Sequence, residues 1–305
     1  MKRDYAIYDV FTSVPLEGNP LAVVFDASGL DDGRMLAIAR EFNLSETIFF
    51  FPAEKDGHTA KARIFTVGGE LPFAGHPTVG GAVALAERRR GEKQSDIDVV
   101  QVLEEKIGAV RCAVRLEKEG AGFCEFDLPR LSRQHPIDLE REAVAAALAV
   151  GPHEVGFENH VVGCWSAGVP FVMVPLHDVD AVARAKCDAT LWTGLAPAID
   201  DRTAFAYVYC RGGRNHEASF HARMFAGHSG IHEDPATGSA VAALSGAIRL
   251  HDDLLDGHHT CLIEQGVEMG RPSLIHLHLD VENGAVSHGR IGGQAVKVAE
   301  GVLLA

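Results

Sequence analysis

Short apolar runs bounded by Gly, Pro, Asp or Asn recur along the chain, and their β-branched and aromatic content predicts strands. In the first half these are "YAIYDVF", "LAVVF", "TIFFF", "RIFTV" and "GAVRCAVRL"; in the second they are "CEFDL", "FVMVPL", "FAYVYC" and "SFHARMF". Longer segments with helical periodicity, "DDGRMLAIAREF", "DLEREAVAAALAV" and "DVDAVARAK", predict surface helices with one apolar face. Two further segments, "HPTVGGAVALAER" from His76 and "DPATGSAVAALSGAI" from Asp234, carry almost no charge for three turns. A helix apolar on every side belongs inside something, so both are predicted to be buried.

These two segments echo one another, and other landmarks recur with them in the same order. "GNP" (18–20) and "GVP" (168–170) each precede an apolar run; "ARIF" (62–65) and "ARMF" (222–225) each stand shortly before the echo. The near-constant spacing predicts an internal duplication. The expected fold class is α+β: two pseudo-symmetric halves, each a β-barrel-like sheet wrapped around one central buried helix. Residues 1–118 with 287–305 are expected to form the first half around a helix at 77–90. Residues 119–286 are expected to form the second around a helix at 235–249. The tail from Leu274, broken by "ENG", "GG" and "EG", reads as strands, the last returning to complete the first half's sheet.

A length of 305 residues suits two domains of this kind. With 47% apolar and 23% charged residues the chain has an ordinary globular composition. Its net charge of −14 disfavours nucleic acid and anionic membranes as partners, since both require a basic surface, and favours a small-molecule ligand. Six cysteines without a CxxC pair read as reduced structural thiols. The N-terminal apolar stretch is broken by Asp9, which argues against a signal peptide, so the expected location is cytoplasmic.

Candidate chemistry gathers at the two predicted helix starts. Pro77 and Pro235 suit the first helical position, and Asp234 then falls at the N-cap. Asp234 therefore reads either as a cap or as a functional carboxylate, and His76 in the matching place either as a packed histidine or as a site residue. Gly80, Gly81 and Gly238 leave space in or near the first turn. They serve either close packing of the helix or access of an anion to bare N–H groups at its positive end. Ser239 adds a hydroxyl there. In "NLSET", Glu46 follows Ser45 and opens an apolar strand, so it is a candidate general acid/base or a strand-end carboxylate in water. His228, His232 and Asp234 are close in sequence, but intervening Gly and Ser argue for a loop without the rigid face of a helical metal motif, so no metal is expected. Nucleotide, dinucleotide and serine-hydrolase motifs are absent, and no cofactor is expected.

Taken together, "GNPLAVVF", "NLSET", "RIFT…ELPFAGHPT", "RMF…EDPATGSA" and "IEQGVEMGRPS" resemble the phenazine-biosynthesis PhzF-like family, within the diaminopimelate-epimerase-like fold. The resemblance implies a homodimer without cofactor or metal, with the active site in a cleft between the halves. It implies an isomerase that moves a proton within a small unsaturated or cyclic carboxylic acid, as trans-2,3-dihydro-3-hydroxyanthranilate isomerase does. Glu46 would be the general acid/base, with His76 and Asp234 as further catalytic groups. Ser45, Gly75, Gly238 and Ser239 would hold the substrate. "TVGGELP" departs from the family pattern at Val67, Gly68 and Gly69, where a proline is common. The fold's epimerases use one cysteine at each helix start, and none of the six cysteines here lies there. A racemase or epimerase, and a non-catalytic small-acid-binding protein of the same fold, remain the competing readings.

Overall fold

The computed structural model describes residues 2–91, 96–227 and 232–305. The chain divides into two compact units, 1–129 with 292–305, and 130–291. The first boundary falls after the strand Gly122–Asp127, not before it at the expected 118/119, because that strand pairs with Gly108–Leu116 (Cys112 opposite Phe126) and is part of the first unit's sheet. The second falls within the long strand Ala285–Leu304, at Ile291/Gly292.

The first unit is a closed barrel of eight strands. In order around it come Lys2–Val10, Asn19–Val24, Glu46–Phe51, Ala60–Phe65, Ile97–Glu105, Gly108–Leu116, Gly122–Asp127 and the end of Ala285–Leu304. That last strand closes the ring by pairing antiparallel with the first, Lys2 opposite Leu304. Leu21 pairs with Glu46, and Ala60 with Leu103, in parallel.

The second unit repeats the order. Gly163–Ser166, Pro170–Pro175, Phe205–Arg211, Phe220–Phe225, Gly257–Gln265 and Ser273–Glu282 follow one another, again with parallel pairings at the second and fourth steps. The "GNP" and "GVP" landmarks open corresponding strands, and "ARIF" and "ARMF" end corresponding strands. Arg133–His135 pairs onto the edge at Gly163–Ser166.

Each unit has its central helix, Gly75–Arg90 in the first and Gly238–His251 in the second. In the first, every residue from Gly75 to Ala86 is buried, as a sequence apolar on all sides requires. Arg88, Arg89 and Arg90 then leave the barrel at the helix C-terminus, where positive charge complements the helix dipole. Gly80 and Gly81 are explained by packing. A Cβ on Gly80 would lie 2.5 Å from Val10 Cγ2 and 2.8 Å from Leu21 Cδ2, and one on Gly81 would lie 2.9 Å from Ile48 and from Phe50. These glycines let the helix approach the strands.

In the second unit a buried ion cluster fixes the turn after Gly257–Gln265. The His221 ring, fully buried, places Nδ1 2.6 Å from Glu264 and Nε2 3.1 Å from Glu268. Carboxylates on both nitrogens require both to carry protons. Burial disfavours that charge, but the hydrogen bonds to Glu264 and Glu268 outweigh it and raise the pKa to about 8. The cation thereby ties Val267–Met269 to the sheet. It also holds Gly266, whose backbone is left-handed and where a Cβ would come 2.5 Å from the Pro235 carbonyl oxygen.

Two stability predictions follow from these contacts. Gly→Ala within a helix ordinarily gains about 1 kcal/mol, whereas overpacking a core costs about 1–3 kcal/mol. Gly80→Ala should therefore lower the denaturant midpoint, and a raised midpoint would contradict the packing account. For His221 the folded pKa exceeds the unfolded one, so its contribution is complete below about pH 6.5 and is lost as pH rises through about 8. Across that window the wild type should lose on the order of 2 kcal/mol relative to His221→Gln. Parallel stability curves for the two proteins would contradict the buried imidazolium.

Candidate active site

Glu46 is the first residue of its strand, reached from the helix Asp32–Phe42 through a turn at Asn43 whose left-handed backbone ends that helix. The following residues, Thr47–Phe50, are buried, so the strand is anchored and Glu46 sits at its rim with its side chain 16% exposed. His76 is the second residue of the central helix and only 5% exposed. Its Nε2 lies 3.5 Å from Glu46 Oε2, longer than a well-formed hydrogen bond. Burial lowers the His76 pKa to about 3. The first unit thus brings a neutral imidazole against a carboxyl group at the mouth of a buried helix.

Both helix starts differ from the positions that the prolines predict. The first helix begins at Gly75 with Ala74 as N-cap, so Pro77 is its third residue and His76 lies inside the helix. Pro77 remains in the first turn, where a missing N–H leaves no intrahelical bond unmade. The second helix begins at Gly238 with Thr237 as N-cap. Asp234 is therefore not the N-cap, and Pro235 precedes the helix. Asp234 belongs instead to a two-residue strand with Glu233, paired with Phe225 and Met224.

A local network holds that segment. Thr237 donates its hydroxyl proton to Asp234 Oδ2 at 2.5 Å. Gln265 Nε2 donates to the Asp234 carbonyl at 2.8 Å and to Thr237 Oγ1 at 3.0 Å, while its Oε1 accepts from Thr237 N–H and the Tyr207 hydroxyl. Because Thr237 Oγ1 already accepts from Gln265, its single proton is available for Asp234 alone. The chain of donors has one direction, and Asp234 Oδ2 is its terminal acceptor. Next to it, Glu233 is gripped by both Nε and Nη2 of Arg223 at 2.8 Å, and the same guanidinium donates to the carbonyls of Val182, Ala183 and Ala185.

Of the predicted site residues, Ser45, Glu46, Gly75 and His76 belong to the first unit, and Asp234, Gly238 and Ser239 to the second. Gly75 and Gly238 are each the first residue of a central helix; Ser239 follows, partly exposed. Sequence reasoning overlooked Thr237, Gln265 and Tyr207. The signal for Gln265 was "IEQG", but its link to Asp234 depends on both flanking strands pairing with Phe220–Phe225, which local patterns do not reveal. The departure at Val67–Gly69 closes as a turn, with Thr66 Oγ1 accepting from the N–H groups of Gly68 and Gly69.

Of His228, His232 and Asp234, where the sequence predicts no metal, His228 lies outside the described residues. Among the described residues, Glu158, His160 and Asp252 bring ligand-type atoms together. The Arg211 guanidinium occupies that cluster, bonding Glu158 at 2.7 Å and Asp252 at 2.5 Å, so it is a salt-bridge network. All six cysteines are free thiols.

The phenazine biosynthesis-like protein family matches residues 8–301. An uncharacterized isomerase from Mesorhizobium japonicum is 53% identical over 303 residues, spanning 99% of this chain and 98% of that protein. The trans-2,3-dihydro-3-hydroxyanthranilate isomerase of Pseudomonas aeruginosa is 34% identical over 303 residues, spanning 97% and 98% respectively. The crystal structure of a PhzF-family phenazine biosynthesis protein from Bacillus anthracis superposes with a TM-score of 0.86 at 25% identity, covering both chains completely. With the α+β, epimerase-like fold and relatives named as isomerases, the chain belongs to the phenazine biosynthesis-like (PhzF) family of isomerase enzymes.

Proposed function

We propose that this enzyme moves a proton within a small unsaturated or cyclic carboxylic acid without a cofactor, with Glu46 as the general acid/base. The observation that carries the reading is the pairing of Glu46 with a neutral His76, 3.5 Å apart at the rim of the first unit's barrel. A carboxyl group that is mostly buried yet reachable can take a proton from carbon and return it elsewhere on the same molecule. A neutral imidazole beside it can donate or accept one hydrogen bond without changing charge. The name borne by the Pseudomonas aeruginosa relative supplies the first compound to test.

In this proposal the substrate carboxylate rests on N–H groups at a helix start, where the dipole favours an anion. Ser45 and Gly75 are its contacts in the first unit; Gly238 and Ser239 at the second unit's helix start are the corresponding binding residues, and Asp234 the corresponding polar group, to be tested by substitution one by one. The protein acts as a cytoplasmic homodimer.

Turnover of trans-2,3-dihydro-3-hydroxyanthranilate, or of a panel of unsaturated carboxylic acids, in D2O should place deuterium on a product carbon. Glu46→Gln should slow that exchange by about 100-fold or more. Exchange as fast as in the wild type would overturn the assignment, and loss of optical rotation without bond migration would favour an epimerase. The His76 ring should also show the ¹⁵N shifts of neutral imidazole from about pH 8 down to about pH 5, since its folded pKa lies below the ordinary value near 6.5. A midpoint between those limits would contradict the buried neutral ring.

A further inference from the structure

Glu105 closes the strand Ile97–Glu105, in which Gln101, Leu103 and Glu105 are buried while the residues between them are not. It therefore faces the interior of the first unit, where carboxyl groups are rare. Glu105 Oε1 lies 2.8 Å from Thr78 Oγ1, and Thr78 Oγ1 lies 2.7 Å from the Ala74 carbonyl oxygen. A threonine hydroxyl has one proton and a carbonyl oxygen can only accept. If that proton goes to Ala74, the contact between Thr78 and Glu105 needs a proton from Glu105. The opposite arrangement turns an oxygen lone pair of Thr78 toward the Ala74 carbonyl at 2.7 Å. It also leaves a buried carboxylate with a single hydrogen bond, because Glu105 Oε2 has no partner among the described residues. That arrangement is the costlier one.

The surroundings favour the neutral form as well. Thr78 on the helix has no charge to offer, burial keeps His76 neutral, and the Cys112 thiol on the neighbouring strand is pushed well up by its hydrogen bond with Cys124 and by burial. Lys106, the next residue, is exposed and pairs with Glu70. Burial raises the Glu105 pKa to about 8, against a smaller opposing effect of the Thr78 hydrogen bond.

The same strand end is tied to the helix mouth a second time, since the Ile107 N–H donates to the Pro72 carbonyl at 3.0 Å. Residues 72–78, which include Gly75 and His76, are thus held at both ends by 105–107. We infer that Glu105 is a neutral carboxylic acid that donates to Thr78 and acts as the positioning residue for the helix mouth presenting Gly75 and His76.

Infrared spectra near neutral pH test the protonation state without a substrate. Wild type should show a carboxylic acid C=O band that shifts in D2O, is missing from Glu105→Gln and moves in Thr78→Val. The folded pKa exceeds the unfolded one, so stability conferred by the proton is lost as pH rises from about 4.5 to about 8. The wild-type melting temperature should therefore fall relative to Glu105→Gln across that window and run parallel above it. The positioning role predicts that the His76 ring resonances stay in place in Glu105→Gln, whose amide can still donate, and shift in Glu105→Leu and Thr78→Val. Absence of the band, or a constant melting difference from pH 4.5 to 8, would overturn the neutral acid. Unchanged His76 resonances in all three variants would overturn the positioning role.

Discussion

The first unit depends on the fit of a helix inside a ring of strands. Gly80 against Val10 and Leu21, and Gly81 against Ile48 and Phe50, leave no room for a methyl group. The helix is thereby fixed along and about its own axis, and so is the ring of His76 one turn before the contact. Because the mouth is also buried, the imidazole cannot charge at ordinary pH, and it meets Glu46 as a neutral partner. Packing determines geometry here, and geometry determines the protonation state on which the proposed chemistry relies.

The two units repeat one strand order but secure their helix starts with opposite electrostatics. In the first, neutral groups do so: Glu105 as an acid, Thr78 and His76. In the second, charges do so: the His221 cation between Glu264 and Glu268, and Arg223 on Glu233, with Gln265 and Thr237 relaying hydrogen bonds to Asp234. The same strand order thus carries different side chains at its two helix starts. The His76 ring stays neutral through the histidine range, but each unit contains a buried group that titrates near pH 8, an acid that gains charge in the first and a cation that loses it in the second.

Much of this was legible in the sequence, because the repeated landmarks and the charge-free helices are local patterns. "GNP" and "GVP" did open matching strands, and the tail did return to Lys2–Val10. Glu46 was visible as a carboxyl at the lip of an apolar strand. The helix starts were misread because proline reports only that a first turn is near: Pro77 lies two residues inside its helix and Pro235 outside the other. The glycines were ambiguous until Val10 and Leu21 were in place around Gly80. Gln265 and Glu105 escaped notice for a different reason. Their partners, Asp234 and Thr78, come near only through pairing between distant strands and the insertion of the helix, and a glutamate in a sequence reads by default as exposed.

A crystal structure with a bound unsaturated carboxylic acid would test the central claim most directly. The first unit offers two ends of its central helix: the mouth at Gly75 and His76, and a cavity of about 550 Å³ at the far end, whose walls include Tyr8, Glu87 and Arg88. The account predicts the ligand at the mouth, with a reacting carbon in contact with the Glu46 carboxyl and a polar group within hydrogen-bonding distance of His76 Nε2. A ligand seated in the far cavity, or one touching neither Glu46 nor His76, would contradict it.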